Sequence, residues 1–247
     1  MGNIPVYVIS LRDSQVRRRN MTERLGALGI AFQFVDAIDG RTQRVPDEFD
    51  GARVIRDGFQ SEAEIACAMS HRLAYRMIAE GLNDLALILE DDAVFQPDFP
   101  QTLALAMTLR FDVLKFWGGP HGRRIQLGEI GKYRVMGGTG SLGTVAYLIT
   151  RTAAARCCGL ALIDQASDLI FSDLRLGLRV LDLQPYPVGV DTMPSDVGER
   201  HPRFHKARLG RLAQFALSIR KRTMFVRLYG LRAAIKMDLG KITGNMR

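Results

Sequence analysis

The chain has 247 residues, 47% of them hydrophobic and 24% charged, a composition that excludes a disordered chain and supplies one large α/β core or two small ones. Three cysteines, Cys157 and Cys158 adjacent, exclude a secreted disulfide framework and read as reduced thiols of a cytosolic protein. The formal charge of +8 sits at one end: residues 200–247 sum to +12 and the remainder to −4, so the overall basicity is no argument for nucleic-acid binding by the body.

Taken in chain order, VYVISL (Val6 to Leu11) is β-branched and aromatic and predicts a buried strand. The preceding residues hold no basic leader with a long apolar run, which predicts no secretory signal. Residues 14–28, stopped by Gly29, predict a helix, and FQFVDAIDG a second strand entering a turn. Strand, helix, strand at this spacing is a βαβ unit. Residues 40–60 are polar, contain glycine and lack a period, and are read as a loop. SEAEIACAMSHRLAYRMIAEG predicts a helix opened by a capping box of Ser61 and Glu64. Ile65, Met69, Leu73 and Met77 step by four as its buried stripe, while Glu64, Cys67 and His71 share another face. LALILEDD is the next strand; FDVLKFW (Phe111 to Trp117), GTVAYLIT (Gly143 to Thr150) and RVLDLQPYPVGV follow, with a helix starting at RTAAARCC. No apolar run reaches the ~18 residues that a membrane span needs.

Glu90, Asp91 and Asp92 stand directly behind the apolar run of LILEDDAVF. Ligands bind beyond the carboxyl ends of strands in open α/β sheets. Mg²⁺ or Mn²⁺ takes one or two carboxylates there and completes its shell with water and phosphates. A solvated turn would carry the same acids, so the cluster alone decides nothing.

ISLRDSQVRRRNM, DAIDG, SEAEIACAMSHR, LALILEDDAVF and GTVAYLITRTAAA, in this order and at these spacings, resemble glycosyltransferase family 25 over residues 3–197. The Glu64-to-His71 helix and the following acids are the most specific pieces. The resemblance implies a GT-A-like, mostly parallel sheet flanked by helices at residues 1–200; residues 201–247, beyond it, read as a basic helical tail. The resemblance also implies an inverting transferase moving a sugar, galactose by analogy, from a UDP-sugar donor to a lipid-linked lipopolysaccharide-type acceptor. A divalent metal, Mn²⁺ or Mg²⁺, would be held by Asp92 with Asp91 or Glu90. Inversion needs a base for the acceptor hydroxyl. Asp168 in DQASDLIFSD is the best match to the family's aspartate, Asp173 the second, although Asp168 suits a sugar hydroxyl or an exposed helix start as well.

On the donor side the resemblance offers Ser10, where many members have Asn, and Arg17, whose neighbours Arg18 and Arg19 equally suit a solvated face. It adds Asp91, His71 as a donor contact or an orienting group, and Glu64, whose capping role suffices by itself. Cys67 reads as a buried small hydrophobe and Tyr147 as strand core. Ser195 and Asp196 match a late segment that closes over the site in the family. His201 and His205 are four apart, with Pro202 between them, and one of them is a candidate metal ligand.

In RLGRLAQFALSIRKR (Arg208 to Arg222), Leu209, Leu212, Phe215, Ala216 and Ile219 line one helical side with basic residues around them. A basic amphipathic helix suits an anionic membrane surface, here the cytoplasmic face of the inner membrane, and it suits docking on the domain with a basic outer face. The competing functions are a nucleic-acid binder, against which the acidic body and the lack of an aromatic-basic motif count, a phosphoesterase, for which histidine ligands are scarce, and a non-catalytic relative. No nucleic-acid partner is expected.

Overall fold

The computed structural model describes residues 4–42, 44–120, 124–138, 141–191, 211–230 and 233. β1 (Val6–Ser10) leads through α1 (Gln15–Ala27) into β2 (Gln33–Asp36). A short antiparallel pair, β3 (Glu48–Phe49) and β4 (Ala52–Val54), precedes the long helix α2 (Glu62–Glu80). β5 (Leu85–Glu90), β6 (Ala93–Phe95), α3 (Phe99–Ala106), β7 (Val113–Lys115) and β8 (Gly119–Pro120) follow. A hairpin of β9 (Arg124–Ile130) and β10 (Tyr133–Gly138) comes next, then β11 (Ser141–Leu142), β12 (Ala146–Thr150) and α4 (Arg151–Cys158). β13 (Leu162–Ile163), a 3₁₀ turn at Ser167–Ser172, β14 (Val180–Gln184), β15 (Val188–Val190) and α5 (Arg211–Tyr229) complete the order.

The central sheet has eight strands in the order β2-β1-β5-β12-β7-β14-β10-β9. β1 runs parallel to β2 and β5, and β7 to β14; β12 is antiparallel to both its neighbours, and so is β10. The sheet is therefore mixed, which corrects the expected mostly parallel one. A continuous buried run such as AYLIT reveals a strand but not its direction. β12 begins beside the ends of β5 and β7 and finishes beside their starts, with Ala146 opposite Leu89 and Ile149 opposite Val113.

Alternation along the strands divides the core in two. Val6, Val8, Leu87, Leu89, Leu114, Leu148 and Leu181 face α1 and α3 through Met21, Leu25, Phe99 and Leu103. Tyr7, Ile9, Ile88, Tyr147, Ile149 and Val180 face α2 and α4 through Ala74, Tyr75, Ile78, Ala153 and Ala154. Each such large side chain removed from water contributes about 1.5–3 kcal/mol.

α2 starts as its sequence dictates: Ser61 Oγ accepts from the Glu64 amide at 3.2 Å, and a Glu64 oxygen accepts from the Gln60 amide at 2.7 Å. Its buried face departs from the expected stripe. Ile65 and Met69 are buried, Leu73 is half-buried and Met77 exposed, while Ala66, Ser70, Ala74 and Ile78 turn inward. Steps of four advance about 40° beyond a full turn each, so a strict four-step row drifts off the contact line. Residues 40–60, read as a loop, contain β3, β4 and a 3₁₀ turn at Arg56–Gly58. β4 pairs with β13 against Ile65, Ala66 and Met69, a long-range pairing that no local pattern announces.

Part of the basic helix packs on the domain. Side chains of residues 219–229 are described: Ile219, Arg220, Lys221, Arg222 and Arg227 are exposed, and Phe225 is buried against Ile125. Tyr229 donates to the Val180 carbonyl at 2.7 Å and accepts from its amide at 3.1 Å, and Arg179 donates to the Leu228 carbonyl at 2.6 Å. The last turns of α5 are thus docked on β14, with their basic residues outward. Among the described residues no helix is long and apolar enough to cross a membrane. Ser195, Asp196, His201 and His205 lie outside the described residues.

Candidate functional site

β1, β2 and β5 run parallel and end together, and a cleft of about 640 Å³ lies beyond their carboxyl ends. Ser10 closes β1, Arg17 comes from the first turns of α1, and Glu90 closes β5 with Asp91 and Asp92 in the turn that follows. The cleft wall is tight at Gly40: a Cβ there would stand 2.4 Å from the Glu62 carbonyl oxygen, so only glycine lets the end of DAIDG lie against the start of α2.

The three acids are held in three ways. Asp91 is neutralised within the chain: Arg17 Nη1 donates to Oδ1 at 2.8 Å and Ser10 Oγ donates to Oδ2 at 2.6 Å, with both ionic side chains about nine-tenths buried. Glu90 Oε1 accepts from Thr144 Oγ1 at 2.5 Å and lies 3.3 Å from His71 Nε2. Gly143, at φ +91°, delivers that threonine; a Cβ would enter the Trp117 ring at 2.1 Å. Asp92 keeps one oxygen, Oδ1, buried with no hydrogen-bond partner among the described residues. Burial first, then the charges of Glu90 and Asp91, push its carboxyl up to about 7, against a smaller pull from Arg17.

His71 is fully buried on α2. Its Nδ1 lies 2.8 Å from the Tyr147 hydroxyl, which donates onward to Tyr75 at 3.1 Å. With the Tyr147 proton committed, Nδ1 must donate, and Nε2 donates to Glu90, so the ring carries both protons. Burial opposes that charge, and the Cys67 sulfur and Glu90 carboxylate outweigh it, raising His71 to about 9. His71 therefore orients and neutralises Glu90. Glu64 is occupied by its capping bond. Cys67, half-buried, touches Ser167 at 3.3 Å.

Asp168 is buried on the 3₁₀ turn, and its neighbour Ser167 lies 3.4 Å from Thr144 Oγ1, which ties the turn to Glu90. Asp173 is turned away. It accepts from Gln165 at 2.8 Å and Arg175 Nε at 2.7 Å and lines a separate crevice with Met224 and Phe225. Burial alone would raise its carboxyl, but Arg175 holds it below the usual range.

Sequence reasoning passed over Thr144, Arg41 and Lys115. Arg41 lines the cleft, bound through both oxygens of Asp39 at 2.9 Å. Lys115 is fully buried, and burial with the Arg124 charge pushes it down to about 7 against Asp168 and Glu90. A lysine inside the apolar run FDVLKFW was the available signal.

Among the described residues no three His, Cys, Asp or Glu side chains converge as a ready-made metal cage. A cation held through one carboxylate, with water and phosphate supplying the remaining ligands, does not need one. The unpartnered Asp92 oxygen fits that arrangement.

The model of glycosyltransferase family 25 (LPS biosynthesis protein) matches residues 3–117. That match takes in just under half of the chain. The chain is 31% identical over 110 residues to a putative glycosyltransferase of Acanthamoeba polyphaga mimivirus, covering 43% of this chain and 34% of that one. It is 33% identical over 91 residues to a putative glycosyltransferase of Haemophilus influenzae, covering 35% and 31%. With the inactive glycosyltransferase 25 family member 3 of Mus musculus it shares 31% over 116 residues, covering 43% and 19%. The matches span about a third or less of those relatives. The family-25 segment contains the cleft and Lys115; Thr144 and Asp168 come from beyond it.

Proposed function

We propose that the chain is a GT-A-like glycosyltransferase that moves a sugar from a UDP-sugar to the hydroxyl of a lipid-linked glycan. Galactose is the sugar that the family resemblance suggests. The observation that carries this reading is the unpartnered, buried Asp92 oxygen beside the Arg17–Asp91 pair at the ends of three parallel strands. A carboxylate lacking a partner, next to fixed guanidinium groups, suits a cation arriving with a diphosphate.

Asp92 would hold the divalent ion, which when bound offsets the charge growing on the departing diphosphate. Arg17 and Ser10 keep Asp91 in place, and Arg41 on Asp39 adds a second guanidinium to the cleft wall. His71 and Thr144 fix Glu90, and through Thr144 and Ser167 they fix the turn of Asp168. Asp168 takes the proton of the acceptor hydroxyl as that oxygen bonds the anomeric carbon from the face opposite the leaving diphosphate, which inverts the centre. The basic outer side of α5 would bring the enzyme to an anionic membrane surface carrying the acceptor.

The test is nucleotide release from a panel of UDP-, GDP- and CMP-sugars, with and without Mn²⁺, beside Asp92→Asn. Metal-dependent release from one UDP-sugar, lost in the variant, is the expected result. Release from no donor, with UDP binding retained in calorimetry, would replace the proposal with a non-catalytic nucleotide-binding relative.

A further inference from the structure

One buried charge has no part in the transfer as described. Lys115 is the last residue of β7 and has no exposed surface. Lysines are almost never buried to this extent unless paired. Its register partners are Tyr147 of β12 and Asp182 of β14, so the three side chains stand abreast on the sheet face that packs against α2.

Each neighbour is itself part of a polar arrangement. Tyr147 bonds His71 and Tyr75. Asp182, 1% exposed, is paired with Arg124 through Oδ2, and its Oδ1 has no hydrogen-bond partner among the described residues. Tyr147, abreast of Lys115, reaches Glu90 through His71, whose Nε2 lies 3.3 Å from that carboxylate, and its ring packs 5.0 Å from Phe171 on the turn that carries Asp168; Asp168 and Glu90 attract the Lys115 ammonium and Arg124 repels it. Glu90 is already joined through Thr144, at 2.5 Å, to Ser167, at 3.4 Å, the chain neighbour of Asp168. A strand needing only packing would carry an apolar residue at this position, because desolvating an ammonium is unfavourable.

We propose that Lys115 is a positioning residue of the transfer site: its buried ammonium holds the carboxylates of Asp168 and Glu90 toward one another, locking the acceptor side of the site to the donor side. Glu90 belongs to the family-25 segment and Asp168 to the chain beyond it, so Lys115 joins the two parts of the site that separate stretches of sequence contribute. Without the cation the two carboxylates repel, and the Asp168 turn relaxes away from the cleft. This inference rests on the reading of Asp168 as the group that meets the acceptor.

The experiment is a double-mutant cycle in the full chain: Lys115→Met, Asp168→Asn and the pair, with Asp182→Asn as control. UDP release is followed with water as acceptor, using the UDP-sugar that the wild type hydrolyses fastest. Thermal melts set a temperature at which all variants are folded. Lys115→Met should lower kcat about a hundredfold while leaving the donor KM within about threefold. The double variant should fall no more than about threefold below the poorer single one, since the lysine acts through the aspartate. Losses that multiply, or an Asp182→Asn variant as impaired as Lys115→Met, would overturn the proposal and leave Lys115 a structural partner of Asp182. If Lys115→Met does not fold, Lys115→Arg takes its place in the cycle, with a loss of at least about tenfold expected and the same test of additivity. A wild type without turnover would instead remove the transferase reading itself, and the role of Lys115 with it.

Discussion

Replacing Arg17 by methionine tests the electrostatics of the cleft most directly. The Arg17 and Asp91 side chains are 9% and 11% exposed and meet at 2.8 Å, so the pair is a buried one. Methionine keeps most of the apolar stem and removes the charge. Asp91 then retains the Ser10 hydroxyl, at 2.6 Å, but stands beside Glu90 and Asp92 with its countercharge gone. Removing one partner of a buried pair destabilises by about 3–5 kcal/mol, because the other charge stays desolvated. In a domain of this size that lowers Tm by about 6–20 °C. Urea unfolding followed by circular dichroism measures the change, provided the slope with urea stays constant. Asp91→Asn on the Arg17→Met background should recover at least about half of the loss, since the stranded charge is then absent. A loss below about 1 kcal/mol for Arg17→Met would refute the reasoning, because that is the range of a solvated surface pair.

Asp92 supplies a pH signature. In the folded chain it holds its proton up to about pH 7, whereas the ordinary carboxyl loses it near 3.8. Between these values the folded state binds more protons than the unfolded one, so this residue makes stability fall as pH rises. Asp92→Asn should flatten that fall by roughly 2–4 kcal/mol, read from urea midpoints across the pH range; parallel wild-type and variant profiles would contradict it. Millimolar Mn²⁺ should raise the Tm of the wild type at pH 7.5 and leave Asp92→Asn unchanged. At α5, Tyr229→Phe removes the hydroxyl shared by the Val180 amide and carbonyl and should cost about 1–3 kcal/mol; no change in urea midpoint would mean the helix end is not docked. The triple change Arg220→Glu, Lys221→Glu and Arg222→Glu alters exposed positions only. It should abolish flotation with anionic vesicles and leave the melting temperature unchanged, whereas undiminished flotation would remove the membrane surface as partner.

Several parts of the site are local in sequence. Ser61 and Glu64 cap α2 because the two are three residues apart, and the acids of LILEDD lie at and just past a strand end because the apolar run stops at Leu89. Those pieces, with the βαβ opening, were legible from residue types and spacing. Asp173 shows the opposite case. As an acid five residues after Asp168 it was a natural second candidate, but its surroundings are Arg175 and Gln165, which a pattern does not reveal.

The sequence by itself determined the opening βαβ unit, α2 and the principal buried strands, the basic end, and the residue types able to bind a cation and a diphosphate, since these depend on neighbours within a few positions. Only the tertiary structure decided the directions in the mixed sheet and the partner of each acid: Arg17 and Ser10 for Asp91, Thr144 and His71 for Glu90, and no hydrogen-bond partner among the described residues for Asp92 Oδ1. It also decided that Lys115 is fully buried rather than in solvent. Such pairings join residues as far as 81 positions apart, as Ser10 and Asp91 are. Burial and the charges around each group set its chemistry, and both come from the packing of distant segments.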